Sequence, residues 1–471
     1  MNRRSFLTYA MGSLACGFAQ EKIHKWNILL ILMDDLGWHD TAPYGNTIID
    51  TPNISRLASE GALFTNAYAA CPVCSPTRAS ILTGKYPARL HLTDWIPGRK
   101  QWPYAKLLTP SFEQQLPLQE VTIAKLLRPL GYRSAAIGKW HLGGNGYLPT
   151  DQGFDINIGG SAAGSPPKYF GPLTLPGLTL ESGEFLTRRL TFEGSRFMRE
   201  SGQKPFFLYE SQFTVHIPLQ APEKIVQKYR TRQTGDVDPI YCAMVETADA
   251  CVGELLKTLD EIRQTDNTIV VFFSDNGGVR YQARRLQPVT NNAPLRAGKG
   301  HLYEGGIREP LIIRWPGVTR AGSRIDQPVC SIDLLPTFCD ALGIRPPAVD
   351  GVSLKPLLSG GSIQDRPLFW HYPHYSDQGG KPSGAVRLGD WKLIEFYEDN
   401  RLELFNLKRD PSESQNLVLQ EPDRAKQLHS LLVDWRKSVD ASMPMPNPEY
   451  DPARSSEGLT GYEDPTPPLR S

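Results

Sequence analysis

Short apolar runs alternate with helical patterns along the first two thirds of the chain. The first run, residues 27–33 (Asn-Ile-Leu-Leu-Ile-Leu-Met), is almost continuously apolar and stops at Asp34 and Asp35. A strand buried on both faces has this composition, because neither face meets water. The other strand-like runs are residues 133–137, 205–209 and 268–273.

Helical patterns lie between these runs. Thr51 and Pro52 are typical of an N-cap and a first helical residue, and they predict a short helix that runs to Gly61. Residues 122–130 and 242–259 carry further helical patterns. This alternation of strand and helix predicts an α/β fold, in which a large, mixed but mostly parallel sheet is covered by helices on both faces.

The pattern changes after about residue 365, where short strand-like runs are separated by turns and followed by an amphipathic helix at about 422–439. The runs are residues 368–372, 384–388, 391–397 and 402–406. They predict a small antiparallel sheet with one helix, so residues 21–364 would form the main α/β domain and residues 365–442 a C-terminal α+β subdomain. Residues 443–471, rich in proline, serine and acids, are expected to form an irregular tail.

The N-terminal residues resemble an export signal. Arg3 and Arg4 precede a short apolar stretch at residues 6–18, and a cleavage sequence of small residues follows. The arginine pair is typical of a twin-arginine signal, so residues 1–20 are expected to direct export to the periplasm or the cell exterior. A lipoprotein signal at Cys16 and a buried N-terminal helix are alternatives. No later stretch has about 18 consecutive apolar residues, so no membrane span is expected.

The charge balance and the cysteine content bear on the binding partners and on the disulfide bonds that the chain can have. The 51 Lys and Arg residues nearly balance the 50 Asp and Glu residues of the 471-residue chain. General nucleic-acid and membrane-surface binders are clearly basic, so neither partner is expected and any anion must be recognised at a local site. The seven cysteines, including Cys16 in the signal, give no defined disulfide framework.

Polar clusters follow the predicted strands at their carboxyl ends, where ligands bind in open α/β sheets. Asp34 and Asp35 follow the first strand, and Asp275 and Asn276 follow the fourth. Adjacent carboxylates repel one another unless a cation lies between them, and oxygen ligands favour Ca²⁺ or Mg²⁺ over zinc. Each pair alone is common as a helix cap or a turn, but both pairs at one edge of the sheet predict a metal site.

The most specific signal is residues 74–78, Cys-Ser-Pro-Thr-Arg, followed by Leu-Thr-Gly at residues 82–84. This Cys-x-Pro-x-Arg pattern resembles the sequence at which a maturation enzyme oxidises cysteine to formylglycine in type I sulfatases. A Cys-x-x-Cys redox or zinc pair with Cys71 is a poorer interpretation, because no second pair has zinc-ligand spacing.

The resemblance to the sulfatase family extends from residue 27 to about residue 417. The motifs occur in the family's order, and the resemblance implies the fold of the alkaline phosphatase superfamily. Besides the Cys74 motif, they are Asp-Asp-Leu-Gly at 34–37, Gly-Lys-Trp-His-Leu-Gly at 138–143, His-Ile-Pro at 216–218, Asp-Asn-Gly-Gly at 275–278 and Gly-Lys-Gly at 298–300.

The resemblance also implies a cofactor and a nucleophile. The ligands of one Ca²⁺ ion would be Asp34, Asp35, Asp275, Asn276 and the modified Cys74. Formylglycine is an aldehyde, and one hydroxyl of its hydrate, after losing its proton to Asp275, would attack sulfur. The other hydroxyl would then expel sulfate as the aldehyde forms again.

Cationic groups are expected around the sulfate, because its oxygens gain charge during the transfer. The residues Arg78, Lys139 and Lys299 match the family's positions for this role. His216 and Lys299 resemble the residues that protonate the leaving alcohol, and His141 resembles the residue that assists the expulsion of sulfate.

Two aromatic residues near the predicted pocket are candidates for binding a sugar ring. Trp95 follows the Cys74 helix, and His374 opens the C-terminal subdomain; either could contact a sugar or seal the domains together. We therefore expect a sulfuric-ester hydrolase that acts on a sulfated sugar or aryl sulfate. The alternatives are an arylsulfatase of broad specificity, a phosphonate or phosphodiester hydrolase, and a non-catalytic binder of sulfated glycans.

Overall fold

The computed structural model describes residues 25–280, 288–455 and 457; the expected signal at residues 1–20 lies outside them. The strands are β1 Asn27–Met33, β2 Ala62–Tyr68, β3 Leu107–Leu108, β4 Arg133–Gly138, β5 Ile156–Ile158, β6 Leu173–Leu175, β7 Leu178–Leu180, β8 Phe206–Ser211, β9 Thr268–Ser274, β10 Arg308–Arg314, β11 Ser323–Ile325, β12 Val329–Cys330, β13 Leu368–Tyr372, β14 Ser383–Leu388, β15 Trp391–Phe396, β16 Arg401–Asn406 and β17 Met445–Pro446. The α-helices are α1 Pro52–Glu60, α2 Cys74–Thr83, α3 Ile123–Leu127, α4 Leu186–Ser201, α5 Glu223–Thr231, α6 Pro239–Glu261, α7 Glu304–Ile307, α8 Leu334–Ala341, α9 Lys355–Leu358 and α10 Pro422–Ser438.

The large sheet has the strand order β11-β2-β10-β9-β1-β8-β4-β5, with β12 also paired to β2. Strand β1 lies near its centre and runs parallel to both neighbours, β8 and β9. Strand β10 is antiparallel to β9 and β2. The predicted mixed, mostly parallel sheet is therefore confirmed, and the four predicted strands are β1, β4, β8 and β9.

Helices cover both faces of this sheet, as the alternating pattern predicts. Alternate side chains of β1 enter two separate cores because successive residues of a strand point to opposite faces. Leu29, Ile31 and Met33 pack with α4 and α6, whereas Ile28 and Leu30 pack with α2 and α8. This is why the β1 sequence is apolar at nearly every position.

Strands β13 to β16 form a separate four-stranded antiparallel sheet, joined by successive hairpins. Helix α10 packs against it through Leu428 and Leu432, which share a core with Leu393 and Leu404. The predicted C-terminal sheet and helix are confirmed, and their observed ends differ from the predicted ones by one residue at most.

The sequence pattern did not indicate β2 and β10. Strand β10 contains Glu309 and Pro310, and its pairing with β2 shifts register beside that proline. Proline cannot donate a ladder hydrogen bond, and a buried glutamate breaks the apolar run that predicts a strand. The strand forms nevertheless, because Leu311, Ile312 and Ile313 are buried in the tertiary structure.

The start of the expected tail has a defined place in the fold. Strand β17 pairs with β3, and Asn447 donates hydrogen bonds to the carbonyl groups of Pro103 and Ala105 at 2.8 and 2.7 Å. Residues 458–471 lie outside the described residues. No helix among the described residues is long and apolar enough to cross a membrane. The six described cysteines are buried and unpaired, so none of them forms a disulfide.

Candidate active site

The two acidic pairs meet at the carboxyl edge of the large sheet. Met33 and Ser274 are register partners at the ends of β1 and β9, so the residues that follow them lie side by side. Asn276 Nδ2 donates to Asp35 Oδ1 at 2.8 Å, and the Asp35 amide donates to Asp275 Oδ1 at 3.3 Å. These three side chains and that of Asp34 are almost fully buried.

Helix α2 brings a thiol and a guanidinium to the same edge. Cys74 is its first residue and Arg78 lies one turn later, so both side chains are on one face of the helix. Arg78 donates to Asp275 Oδ2 from Nε at 2.8 Å and to the Lys139 carbonyl from Nη1 at 3.1 Å. Although burial disfavours its charge, Asp275 raises the pKa of Arg78.

The turn after β4 supplies a lysine and a histidine. Lys139 Nζ lies 2.8 Å from Asp34 Oδ2, and both side chains are fully buried. Burial raises the pKa of Asp34 to about 8, although the Lys139 ammonium opposes this shift.

His141 faces the thiol of Cys74. Its Nδ1 is 3.3 Å from Cys74 Sγ, and its Nε2 is 2.5 Å from the Ile96 carbonyl. A carbonyl only accepts, so Nε2 carries the proton and Nδ1 presents a lone pair to Cys74. Burial, with Lys139 next, lowers the pKa of His141 well below its ordinary value, which keeps the ring neutral.

A second lysine and histidine lie against Asp35. Lys299 Nζ is 2.6 Å from Asp35 Oδ1, and His216 Nε2 is 3.6 Å from Asp35 Oδ2. Burial raises the pKa of Asp35, but Lys299 and His216 outweigh it and lower the pKa overall. The proton of the His216 ring lies on Nδ1, which is 2.9 Å from the Ile217 carbonyl. Burial lowers the pKa of His216 to about 3, with Asp35 opposing.

A cavity of about 460 Å³ opens onto these groups. Its base includes Asp35, Cys74, His141, His216 and Lys299. Its outer wall is formed by Trp95, Ile96, Pro97, Ala162, Ala163, Gly164, Ser165, Ile217, Val279, Asp377 and Gln378. A larger cavity of about 700 Å³ lies beside α1, but its walls contain none of the residues of this cluster.

The structure brings Trp95 to this cavity but places His374 elsewhere. His374 is buried, its Nε2 is 2.8 Å from Thr93 Oγ1, and its ring packs against Phe112. It lines a separate cavity of about 40 Å³. The C-terminal region instead contributes Asp377 to the cavity wall. No sequence motif indicated this residue, because its position depends on tertiary packing.

The cluster at the strand ends has the chemistry of a hard-cation site. Ligand atoms of Asp34, Cys74 and Asp275 lie within 4.8 Å of one another. Among the described residues, no group donates a hydrogen bond to the buried Asp35 Oδ2 or Asn276 Oδ1. Buried oxygens without a donor are costly, and a divalent cation would satisfy them. These residues therefore fit a hard divalent cation, of which Ca²⁺ is one.

The fold and the cluster together define a hydrolase of the alkaline phosphatase type, and comparisons with known proteins agree. The sulfatase family profile matches residues 26–344, and the profile of the N-sulphoglucosamine sulphohydrolase C-terminal region matches residues 297–438. The chain belongs to the sulfatase family, whose members hydrolyse sulfate esters.

Individual relatives support the same assignment. N-acetylgalactosamine-6-sulfatase of Canis lupus familiaris is 34% identical over 83% of this chain and 76% of its own length. The structure of Ps i-CgsB in complex with k-i-k-neocarrahexaose has a TM-score of 0.75 and 30% identity, and the match covers 90% of this chain and 94% of that one. Phosphonate monoester hydrolase of Agrobacterium radiobacter shares the fold, with a TM-score of 0.65 and 19% identity over 88% of this chain and 96% of that one.

Proposed function

We propose that this sulfatase removes sulfate from a sulfated carbohydrate, using a formylglycine made from Cys74 and one Ca²⁺ ion. One observation carries the proposal: Cys74 lines the cavity, in a cluster that contains Arg78, Lys139 and Lys299. The carbohydrate sulfatases to which the chain is similar support a sugar substrate, whereas its similarity to arylsulfatase A and steryl-sulfatase of Homo sapiens keeps an aryl or steryl ester as the alternative.

The nucleophile would lie where the thiol lies in this chain. The hydrate of formylglycine supplies two hydroxyl groups on one carbon, one for attack on sulfur and one for release of sulfate. The lone pair of His141 Nδ1 faces this position and can accept a proton from a hydroxyl there. Asp275 borders the same position and can accept the proton of the attacking hydroxyl. A formylglycine-generating enzyme is the partner that this chemistry requires.

The residues that would hold the ion are Asp34, Asp35, Asp275, Asn276 and the modified Cys74. When bound, Ca²⁺ supplies positive charge that stabilises an oxygen nucleophile and the sulfate oxygens. Each of the three cationic side chains, Arg78, Lys139 and Lys299, is paired with a carboxylate at 2.6 to 2.8 Å. The divalent charge would therefore give the site the net positive charge that a sulfate needs.

Arg78, Lys139 and Lys299 would bind the sulfate oxygens as these gain charge. Lys299 stays protonated, since Asp35 raises its pKa against the effect of burial, so its ammonium can donate a hydrogen bond to the leaving oxygen. His216 borders the same side of the cavity, and it can act as the acid once its Nε2 has gained a proton. These two residues are the candidates for protonating the leaving alcohol.

The proposal extends to the location of the enzyme. The paired Arg3 and Arg4 and the apolar stretch after them support export, by the twin-arginine route in preference to a lipoprotein route. Cell fractionation of the full chain, compared with a variant in which both arginines are lysines, tests this. Retention of wild-type protein in the cytoplasm would contradict it.

The decisive test of the reaction uses matched esters. Full-length enzyme co-expressed with its maturation enzyme should release sulfate from sulfated sugars and from 4-nitrophenyl sulfate, and Cys74→Ala should do neither. Faster hydrolysis of 4-nitrophenyl phosphate or phosphonate than of the sulfate would assign the site to the other branch of the superfamily. Binding of sulfated glycans without hydrolysis would make the protein a binder.

A further inference from the structure

The loop between β13 and β14 reaches from the C-terminal sheet to the turn that carries Lys299. Within it the Ser376 amide donates to the Gly380 carbonyl at 2.8 Å. A Cβ atom on Gly300 would lie 2.0 Å from Ser376 Oγ, and one on Gly380 would lie 1.8 Å from the Gly300 carbonyl oxygen. The two turns are therefore in close contact, through the Gly380 and Gly300 backbones and the Ser376 side chain, and this contact positions the loop relative to Lys299.

A second contact ties this loop to the wall that carries Trp95. Arg99 Nη1 donates to the Ser376 carbonyl at 2.7 Å. Asp94, next to Trp95, accepts a hydrogen bond from Tyr372 at the end of β13, at 2.9 Å. Trp95 and Asp377 thus belong to two walls of one cavity whose separation is set by these bonds.

Asp377 and Gln378 are the residues of this loop that line the cavity. Across the described residues, no protein group donates a hydrogen bond to the Asp377 carboxylate, and the Gln378 side-chain amide has no protein partner either. Lys299 Nζ donates to Asp35 at 2.6 Å, and Arg99, whose guanidinium interacts electrostatically with Asp377, donates to the Ser376 carbonyl. A half-buried carboxylate needs donors, and here they must come from water or a ligand.

Trp95 adds a flat apolar surface to the same cavity. Its Nε1 is buried without a hydrogen-bond acceptor among the described residues. An aromatic face combined with acceptors at a neighbouring wall suits a sugar ring, which has apolar C–H faces and a hydroxyl edge. An aryl sulfate would use only the apolar part.

We propose that Asp377, with Gln378, binds the hydroxyl or amide N–H groups of the sugar whose sulfate lies at Cys74. This inference rests on the proposed function and adds a determinant of specificity to it. Asp377 accepts hydrogen bonds from the hydroxyl or amide N–H groups at the edge of a sugar ring. The preferred ring therefore presents hydrogen-bond donors to the loop.

The experiment compares two substrates with the mature, formylglycine-containing enzyme. A panel of galactose, N-acetylgalactosamine and glucosamine sulfates first identifies the sugar sulfate that the wild type hydrolyses fastest. For that substrate, Asp377→Ala should lower kcat/KM by about 10- to 100-fold, mainly through KM, as expected for a lost charged hydrogen bond. Hydrolysis of 4-nitrophenyl sulfate should change by less than about threefold, because an aryl ring offers no donor.

Three further variants make the result specific. Asp377→Asn keeps the side-chain size and one acceptor oxygen, so its loss should be smaller than that of Asp377→Ala. Gln378→Ala should also lower kcat/KM for the sugar sulfate and leave the hydrolysis of 4-nitrophenyl sulfate nearly unchanged. The control is Asp390→Asn, an exposed acid in the turn after β14, which should match the wild type on both substrates.

Several outcomes would overturn the inference. An equal loss on both substrates would mean that the loop acts by holding Lys299, and an unchanged kcat/KM on the sugar would mean that Asp377 does not contact it. A wild type that cleaves nitrophenyl sulfate but no sugar of the panel would also reject the inference while leaving the sulfatase reaction intact. A wild type inactive on every sulfate would instead reject the proposed function.

Discussion

At the scale of single residues, the proton positions around Cys74 are set by backbone carbonyls. Ile96 accepts from His141 Nε2, and Ile217 accepts from His216 Nδ1. The nitrogens that face the site are therefore unprotonated in both neutral rings. Lys299, also on the cavity side, is protonated, because Asp35 raises its pKa against the effect of burial.

The first prediction concerns Cys74 itself. The peptide that contains it should be about 18 Da lighter than the unmodified thiol peptide in active enzyme, as conversion of cysteine to an aldehyde requires. Peptide mass spectrometry of protein made with and without the maturation enzyme measures this. Full activity in protein with an unmodified thiol would refute the formylglycine mechanism.

A second prediction separates the two candidate acids. A sugar alkoxide needs a proton to leave, whereas nitrophenolate leaves largely unaided. If His216 is the acid, His216→Ala should cost about 10²–10⁴-fold more on a sugar sulfate than on 4-nitrophenyl sulfate. Steady-state kinetics on both substrates check this.

Arg78→Ala is the matched control, because a residue that binds sulfate should harm both substrates alike. Equal losses for His216→Ala would assign His216 to sulfate binding and leave Lys299 as the acid. Burial lowers the pKa of His216 to about 3, so its ring is neutral at neutral pH, which favours Lys299 as the alternative acid.

At the scale of elements, parallel pairing of β1 and β9 brings together the side chains of the candidate metal site. The register of the two strands aligns Met33 with Ser274, so Asp35 and Asn276 meet without any local sequence connection. Asp35 has a positive φ of 63°, a strained conformation that turns the chain at the end of β1. Strand pairing thus assembles ligands that lie 241 residues apart along the chain.

The third prediction is that removing metal lowers both activity and thermal stability. An ion bound only by the folded state stabilises it by about 2.7 kcal/mol at 100 times its Kd. Chelation should therefore abolish activity and lower Tm, and Ca²⁺ should restore both better than Zn²⁺. Differential scanning calorimetry provides a readout independent of turnover.

Asp275→Asn is the informative variant for this prediction. It should be inactive, and its Tm should respond little to chelation or added Ca²⁺. An exposed acid such as Asp399→Asn should keep the wild-type response. An unchanged Tm and full activity in metal-stripped wild-type protein would refute the site.

At the scale of the whole molecule, a buried charge cluster joins the two sheets. Lys392 of β15 lies 2.9 Å from Glu304 of α7 and 2.9 Å from Glu413, and all three side chains are fully buried. Tyr68 of β2 donates to Glu304 at 2.7 Å. Helix α7 follows the turn of Lys299, so this cluster links the C-terminal sheet to the active-site edge.

The fourth prediction follows from this burial. Lys392→Met removes the ammonium that Glu304 and Glu413 share and leaves Glu304 with Arg308 at 3.6 Å, which should lower the free energy of unfolding by about 3–5 kcal/mol. Denaturant unfolding monitored by tryptophan fluorescence measures it. Lys381→Met, which breaks an exposed pair with Glu398, should cost less than about 1 kcal/mol. Equal effects of the two variants would show that the buried cluster contributes no special stability.

The sequence alone determined the strands with continuous apolar composition, the two-sheet organisation and the residues of the chemical motifs. These features are local: a strand buried on both faces must be apolar, and a motif is contiguous. Thus β1, the Cys74 helix and both acidic pairs could be identified before any contact was known. The roles of the motif residues came from family resemblance and remain predictions.

Only the tertiary structure decided which side chains share a cavity. Trp95 and His374 were equal candidates for sugar binding on the sequence alone. In the structure Trp95 lines the cavity, whereas His374 is buried against Phe112. Asp377 and strand β10 gave no local signal, because their positions depend on contacts with distant segments. Burial and strand pairing act between residues that are far apart in sequence, so only the folded structure determines which residues form the cavity wall. The motif residues are contiguous and can be identified from the sequence alone.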